Sequence, residues 1–182
     1  VLGTNMGIEQ IVVNTAKGRH REPEHIARNP FGSVPVMELD DGSYLVESLA
    51  IIEYLEDRFP DQSLLGRSPE ARAKARDLER IVDVRIARAM GNYAHATNSP
   101  LGRPPDPEKA AQMEAELQVP LDFLEKLLTD GRALLAGEQV SIADCTLQAS
   151  LQFVRYIEGD LFGARPLLRA WDERYRERPA AK

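Results

Sequence analysis

Three short stretches of this sequence carry residue types that could grip a small charged peptide. Ser33-Val34-Pro35 opens a candidate strand, and a proline there gives no amide to a ladder, so it belongs on an edge or in a turn. With a cis Val34–Pro35 bond, the Val34 N–H and C=O would turn outward and pair with an extended peptide as an added strand. Cis bonds make up only about 5–6% of prolyl bonds in folded proteins, and the local sequence leaves the isomer open. Glu47-Ser48 stands at the head of a candidate helix. Ser48 fits an N-cap, and the free amides and positive dipole end behind it suit a carboxylate. Glu47 suits an ammonium group, although the pair equally fits a plain cap beside a solvated acid. Lys17-Gly18-Arg19-His20-Arg21 offers cations to a second carboxylate, or forms a solvated basic loop.

The elements that must position these groups change character near Phe59-Pro60-Asp61-Gln62-Ser63-Leu64-Leu65-Gly66. Short β-rich runs with turn signals precede it and long helical patterns follow, which predicts a small α/β unit over residues 1–62 and an all-helical unit over 67–182. In the first unit, Ile8–Asn14 reads as a β-branched strand, and Val1–Met6 as the last turn of a helix closed by Gly7. Residues 17–28 read as a short helix or loop with Pro23 near its start. Val36–Leu39 and Tyr44–Val46 are strands around Asp40-Asp41-Gly42-Ser43, a strong hairpin signal. A helix runs from Ser48, with Leu49, Ile52, Leu55 and Phe59 on its apolar face, until Pro60 stops it.

The second unit opens on Ser68-Pro69-Glu70, a capping serine ahead of a proline at the first helical position. The helix beyond carries Leu78, Val82, Ile86, Ala89 and Tyr93 on one face, and Arg72, Arg76, Arg80, Arg85 and Arg88 elsewhere. The arginines read as a solvated face paired with Glu70, Asp77, Glu79 and Asp83. Asp106 starts a further helix through Leu117, Leu121, Leu124 and Leu128, with Pro120 predicting a kink inside it. Ser141-Ile142-Ala143-Asp144 is a capping box, with Val140 and Cys145 placed as its hydrophobic staple. The last helix is Arg165–Tyr175.

Composition narrows the classes. The 182 residues are 43% hydrophobic and 29% charged, the balance of a globular chain with enough length for a real core. A net charge of −6 argues against a broad nucleic-acid footprint. No apolar run approaches the roughly 18 residues of a membrane span, and no leader peptide is visible ahead of Met6. Cys145 is the only cysteine, so no internal disulfide forms and a reducing, cytoplasmic setting is expected. Its apolar neighbours make it a packing thiol rather than a nucleophile.

Asn29-Pro30-Phe31-Gly32-Ser33-Val34-Pro35, the run Asp40–Pro60, the Ser141–Asp144 box and the terminal Leu167–Ala180 stretch together resemble the cytosolic glutathione transferases, of a bacterial, theta-like kind. The resemblance runs nearly end to end. It implies an α/β thioredoxin-like N-terminal domain, incomplete and with a mixed sheet, plus an all-α C-terminal helical domain. It also implies a cis Val34–Pro35 bond and glutathione as co-substrate, held by His20, Val34, Pro35, Glu47 and Ser48. Ser33 departs from the pattern, standing where a lysine often precedes the Val-Pro pair. By the same resemblance the family's Tyr, Ser or Cys for the glutathione thiol would precede Val1, so no catalytic residue is assigned. The 182 residues alone are therefore expected to conjugate a generic chloro-aromatic substrate poorly or not at all. A small hydrophobic electrophile would meet Tyr93 and His95 in a pocket between the units, in a homodimer whose interface includes part of the arginine face. A related protein that binds glutathione without turnover is the alternative reading.

Overall fold

The computed structural model describes residues 7–179, and the chain divides into two units, Val1–Ser63 and Leu64–Lys182. The helical turn expected over residues 1–6 lies outside the described residues.

The first unit is built around a hairpin and two helices. After 3₁₀ turns at Thr15–Lys17 and Arg19–Arg21 come α1 (Pro23–Arg28), β1 (Met37–Glu38), β2 (Tyr44–Leu45) and α2 (Ser48–Arg58). Both strands are shorter than expected. They pair antiparallel, with Met37 opposite Leu45 and Glu38 opposite Tyr44. The turn between them closes through Leu39 N–H donating to Ser43 O and Gly42 N–H to Leu39 O, each 2.9 Å. Gly42 takes the left-handed φ of 81° that this turn requires. The Asp41 carboxylate accepts from the Ser43 hydroxyl at 2.6 Å and amide at 2.9 Å, and those bonds hold its pKa below the usual value.

Two expectations for this unit are corrected. Ile8–Asn14 forms no strand, and the sheet is a two-stranded antiparallel ribbon, not a mixed sheet, among the described residues. A β-branched run becomes a strand only where a neighbour completes its ladder, and here Ile11 and Val12 are exposed. On α2 the buried apolar positions are Ile51 and Leu55, while Leu49, Ile52 and Phe59 are only half-buried.

The second unit is all helical: α3 (Pro69–Val82), a π turn (Asp83–Ala87), α4 (Arg88–Thr97), α5 (Pro107–Leu127), α6 (Ile142–Tyr156) and α7 (Pro166–Glu177). Ser68 caps α3 by accepting from Ala71 N–H at 3.1 Å, and Asp106 caps α5 by accepting from Lys109 N–H at 3.0 Å. The π turn explains a core pattern that an α-helix alone would lose. Leu78, Val82, Ile86, Met90 and Ala94 recur every four residues and all are buried. Each such step overshoots an α-helical turn by about 40°, and the wider π turn takes back part of that drift. Met90, missing from the sequence-level face, is thereby drawn inside.

Leu117, Leu121, Leu124 and Leu128 are buried as their spacing predicts, and the α5 assignment is uninterrupted across the buried Pro120. Trp171 and Leu168 of α7 join this same core. Glu79, expected on the solvated face, is buried instead and accepts from the Thr146 hydroxyl at 3.2 Å, whereas Arg80 and Asp83 do pair at 3.0 Å. The Ser141–Asp144 capping box forms as its spacing requires.

Candidate functional site

The stretches singled out from the sequence lie in the first unit, on loops pinned by short-range hydrogen bonds. Asn29, fully buried, ends α1 and organises the loop that follows. Its carbonyl accepts from Gly32 N–H at 3.0 Å, its Oδ1 accepts from Phe31 N–H at 3.0 Å, and its Nδ2 donates to Ser33 O and Ser33 Oγ, both at 2.9 Å. Two features favour glycine at position 32. Its φ is 60°, and a Cβ there would come within 3.0 Å of His20 O and of Arg21 Nη1. The basic stretch therefore packs against the loop that leads into Val34.

Val34 follows, 45% exposed, and the Val34–Pro35 peptide bond is cis. Among the described residues neither its N–H nor its C=O has a hydrogen-bond partner. Free main-chain donors and acceptors on an exposed edge are what an extended peptide would complete. His20 lies in the second 3₁₀ turn, half-buried, with its Nδ1 enclosed and unpartnered among the described residues. A buried ring nitrogen without a partner is an uncommon and costly arrangement.

Glu47 and Ser48 sit one position away from where capping logic put them. Ser48 is the first helical residue of α2, and Glu47 is the N-cap, with no side-chain capping bond. The reason lies in the backbone. Glu47 is already extended, and its carbonyl accepts the first helical bond, from Ile51 N–H at 3.0 Å. The amides of Ser48, Leu49 and Ala50 remain outside the ladder, as in any helix start. Both side chains are exposed, so an open cluster of donors stands beside an acidic group.

Tyr93 and His95 belong to the second unit, on α4. Burial, then Glu114, raises the Tyr93 pKa, while burial, then the Arg103 charge, lowers that of His95. The His95 ring is engaged, with Nδ1 2.9 Å from Ser99 Oγ.

Cys145 is half-buried, and the Tyr175 hydroxyl donates to its sulfur at 3.5 Å. Burial is the main force raising its pKa above the ordinary thiol value, the opposite of what activates a nucleophile. Burial likewise pushes the Tyr175 pKa up, with the Cys145 contact adding to it. Both groups are acids kept neutral by the fold. The stability they lend is complete below their unfolded values and declines as pH rises through them toward the folded ones. Alkylation of native Cys145 by iodoacetamide at pH 8 should accordingly run at least about tenfold slower than that of the urea-unfolded chain, and should quicken above pH 9. Equal rates would remove the protection ascribed to this site.

No group of side chains among the described residues could hold a metal ion, and no helix among them is long and apolar enough to cross a membrane. The residues missed by reasoning from sequence were His25 and Asn29, which lie four apart. Such spacing puts two side chains on one helical face, but nothing in it says that both would reach the Ser33 carbonyl, from which His25 Nε2 and Asn29 Nδ2 each lie 2.9 Å.

Comparison with known proteins supplies the family. The profile of the glutathione S-transferase N-terminal domain matches residues 5–58, and that of the C-terminal domain matches residues 89–179. The chain belongs to the glutathione S-transferase family. It is 29% identical to glutathione S-transferase 2 of Saccharomyces cerevisiae over 96% of this chain and 76% of that one. Against glutathione S-transferase GstA of Escherichia coli O157:H7 the identity is 31%, over 86% of this chain and 74% of the relative. A crystal structure of a glutathione S-transferase domain-containing protein from Marinobacter aquaeolei VT8 superposes with a TM-score of 0.81 at 32% identity, covering 94% and 85% of the two chains. Glutathione is the co-substrate of this family, and the pairing of a thioredoxin-like domain with an all-helical one is its fold.

Proposed function

We propose that this glutathione S-transferase family member is a transferase that binds glutathione on its first unit and presents the thiolate to a small hydrophobic electrophile. The observation that carries the reading is the unpartnered main chain of Val34, in the same unit as the open start of α2 and its exposed Glu47. In this reading the Val34 N–H and C=O pair with the cysteinyl residue of glutathione as a short added strand. The α2 amides and Ser48 receive the γ-glutamyl carboxylate, Glu47 receives its ammonium group, and His20 serves the glycyl carboxylate. Pro35 holds the end of this edge.

The chemistry then belongs to the bound thiol. Its sulfur, as thiolate, attacks an electrophilic carbon, and the leaving group departs with the bond's electron pair. Two sources of rate are at work: orientation of the sulfur, and stabilisation of its charge over that of a free thiol near pH 8.5. Tyr93 and His95 are our candidates for the electrophile's contacts.

The same reading carries a cytoplasmic homodimer acting in detoxification. The dimer is supported by a groove within the second unit, between the α3–α4 stretch and α5, where exposed Val84, Val119 and Phe123 stand among Arg85, Arg88 and Lys109. Exposed apolar side chains grouped in a rimmed groove are a common mark of an interface.

Titration calorimetry with reduced glutathione tests the central point. Saturable one-site binding that S-methylglutathione competes for is expected. Absence of heat and of competition at millimolar glutathione would overturn the reading.

A further inference from the structure

The Ser33 carbonyl is held by two buried side chains. His25 Nε2 lies 2.9 Å from Ser33 O, and Asn29 Nδ2 lies 2.9 Å from the same oxygen. A carbonyl only accepts, so His25 Nε2 carries the hydrogen, and both lone-pair directions of the oxygen are filled. His25 and Asn29 are 6% and 0% exposed, so neither is free to swing toward solvent. Asn29 is itself fixed, since its N–H donates to His25 O at 2.9 Å and its Oδ1 is occupied by Phe31 N–H.

The consequence reaches Val34 through the peptide plane. Ser33 C=O and Val34 N–H belong to one planar amide and point in opposite directions. Two hydrogen bonds on the oxygen therefore set the direction of the N–H. The carbonyl is anchored against buried groups, and the N–H of exposed, unpartnered Val34 is aimed the other way. A donor fixed before binding loses less freedom when it meets its acceptor.

We propose that His25 is a positioning residue for glutathione: by donating from Nε2 to Ser33 O, it aims the Val34 N–H at the peptide that the edge receives. This rests on the glutathione reading above, and the role goes beyond it, because His25 acts through Ser33 O and is assigned no contact with the ligand. Asn29 shares the load but also holds Phe31 and the Ser33 hydroxyl, so its removal would disturb the whole loop. Among the described residues His25 makes one side-chain bond, and it is the cleaner probe.

The test compares His25→Gln with His25→Met. Both side chains are unbranched helix formers of similar length, and only Gln places an N–H donor near the position of Nε2. Two readouts are taken on each full chain: the residual dipolar coupling of the Val34 N–H without ligand, and the glutathione Kd. His25→Gln should reproduce the parent coupling and bind within about threefold of the parent, whereas His25→Met should show a reduced coupling and a Kd raised about tenfold. A parent-like coupling in His25→Met overturns the proposal. So does an altered coupling in a folded His25→Gln, which also decides the matter should His25→Met fail to fold. If the parent chain binds no glutathione, the functional reading falls, while the coupling still reports whether His25 orients this peptide.

Discussion

Asp144→Ala is expected to destabilise the helical unit by about 3–5 kcal/mol, because it strips one buried carboxylate from four donors at once. Asp144 is wholly buried. Its Oδ2 accepts from Ser141 N–H at 2.9 Å, one half of the α6 capping box, and from the Ser141 hydroxyl at 2.7 Å. Its Oδ1 accepts from Leu135 N–H at 2.9 Å and from the Trp171 indole N–H at 2.8 Å. One side chain thus ties the start of α6 to the preceding loop and to α7. Alanine would leave two backbone amides and an indole N–H without acceptors in a region too tightly packed for water to replace the lost oxygens easily. Asp144→Asn should fall between the parent and alanine, since it keeps one acceptor oxygen and turns the other into a donor facing donors. A suitable control is Asp83→Ala, where the carboxylate and its partner Arg80 are 47% and 66% exposed and the expected loss is below about 1 kcal/mol. Urea unfolding followed by Trp171 fluorescence measures all three. A midpoint for Asp144→Ala within error of the Asp83 control would show that the hub contributes little.

The second large effect concerns binding. Glu47→Ala should weaken glutathione binding about 10- to 100-fold, corresponding to a charge-assisted hydrogen bond of about 1.5–3 kcal/mol. The stability of the chain should barely change, because Glu47 is exposed and makes no capping bond. That separation makes the variant informative: a fall in affinity with an unchanged melting temperature belongs to the ligand rather than to folding. Glu47→Gln, which keeps the acceptor and loses the charge, should lie between the two, and added salt should narrow the gap between parent and Gln. A Glu47→Ala chain that binds as tightly as the parent would take this residue out of the ammonium site.

Much of the architecture was legible because it is written in local chemistry. Ser68-Pro69 and Asp106-Pro107 mark helix starts through donors that must find acceptors, and Ser141 with Asp144 marks a third. The leucines of α5 declare their buried face by spacing alone. Ile8–Asn14 misled for the converse reason: β-branched side chains favour a strand only when a neighbouring strand supplies the ladder, and no local signal reports on that neighbour. Met90 was missed because helical periodicity assumes a uniform turn, and the π turn at Asp83–Ala87 breaks that assumption.

The candidate site divides along the same line. Residue types at Val34, Glu47 and Ser48 pointed to a peptide with charged ends, since those functions reside in single residues and in a helix start. The pinning of the Ser33–Val34 peptide by His25 and Asn29 did not show, because a hydrogen bond between side chain and backbone depends on where α1 ends and which way the loop turns.

The sequence by itself determined the class of fold, the helix starts, the buried leucine face of α5 and the family resemblance, all of which follow from short-range periodicity and local donor–acceptor demand. Tertiary structure alone decided that Ile8–Asn14 would form no strand among the described residues, that Glu79 and Asp144 would be buried against partners 67 and up to 27 residues away, and that one carbonyl would be shared by two side chains. Those outcomes depend on which distant groups the packed chain brings within about 3 Å, a condition that no pattern of neighbouring residues encodes.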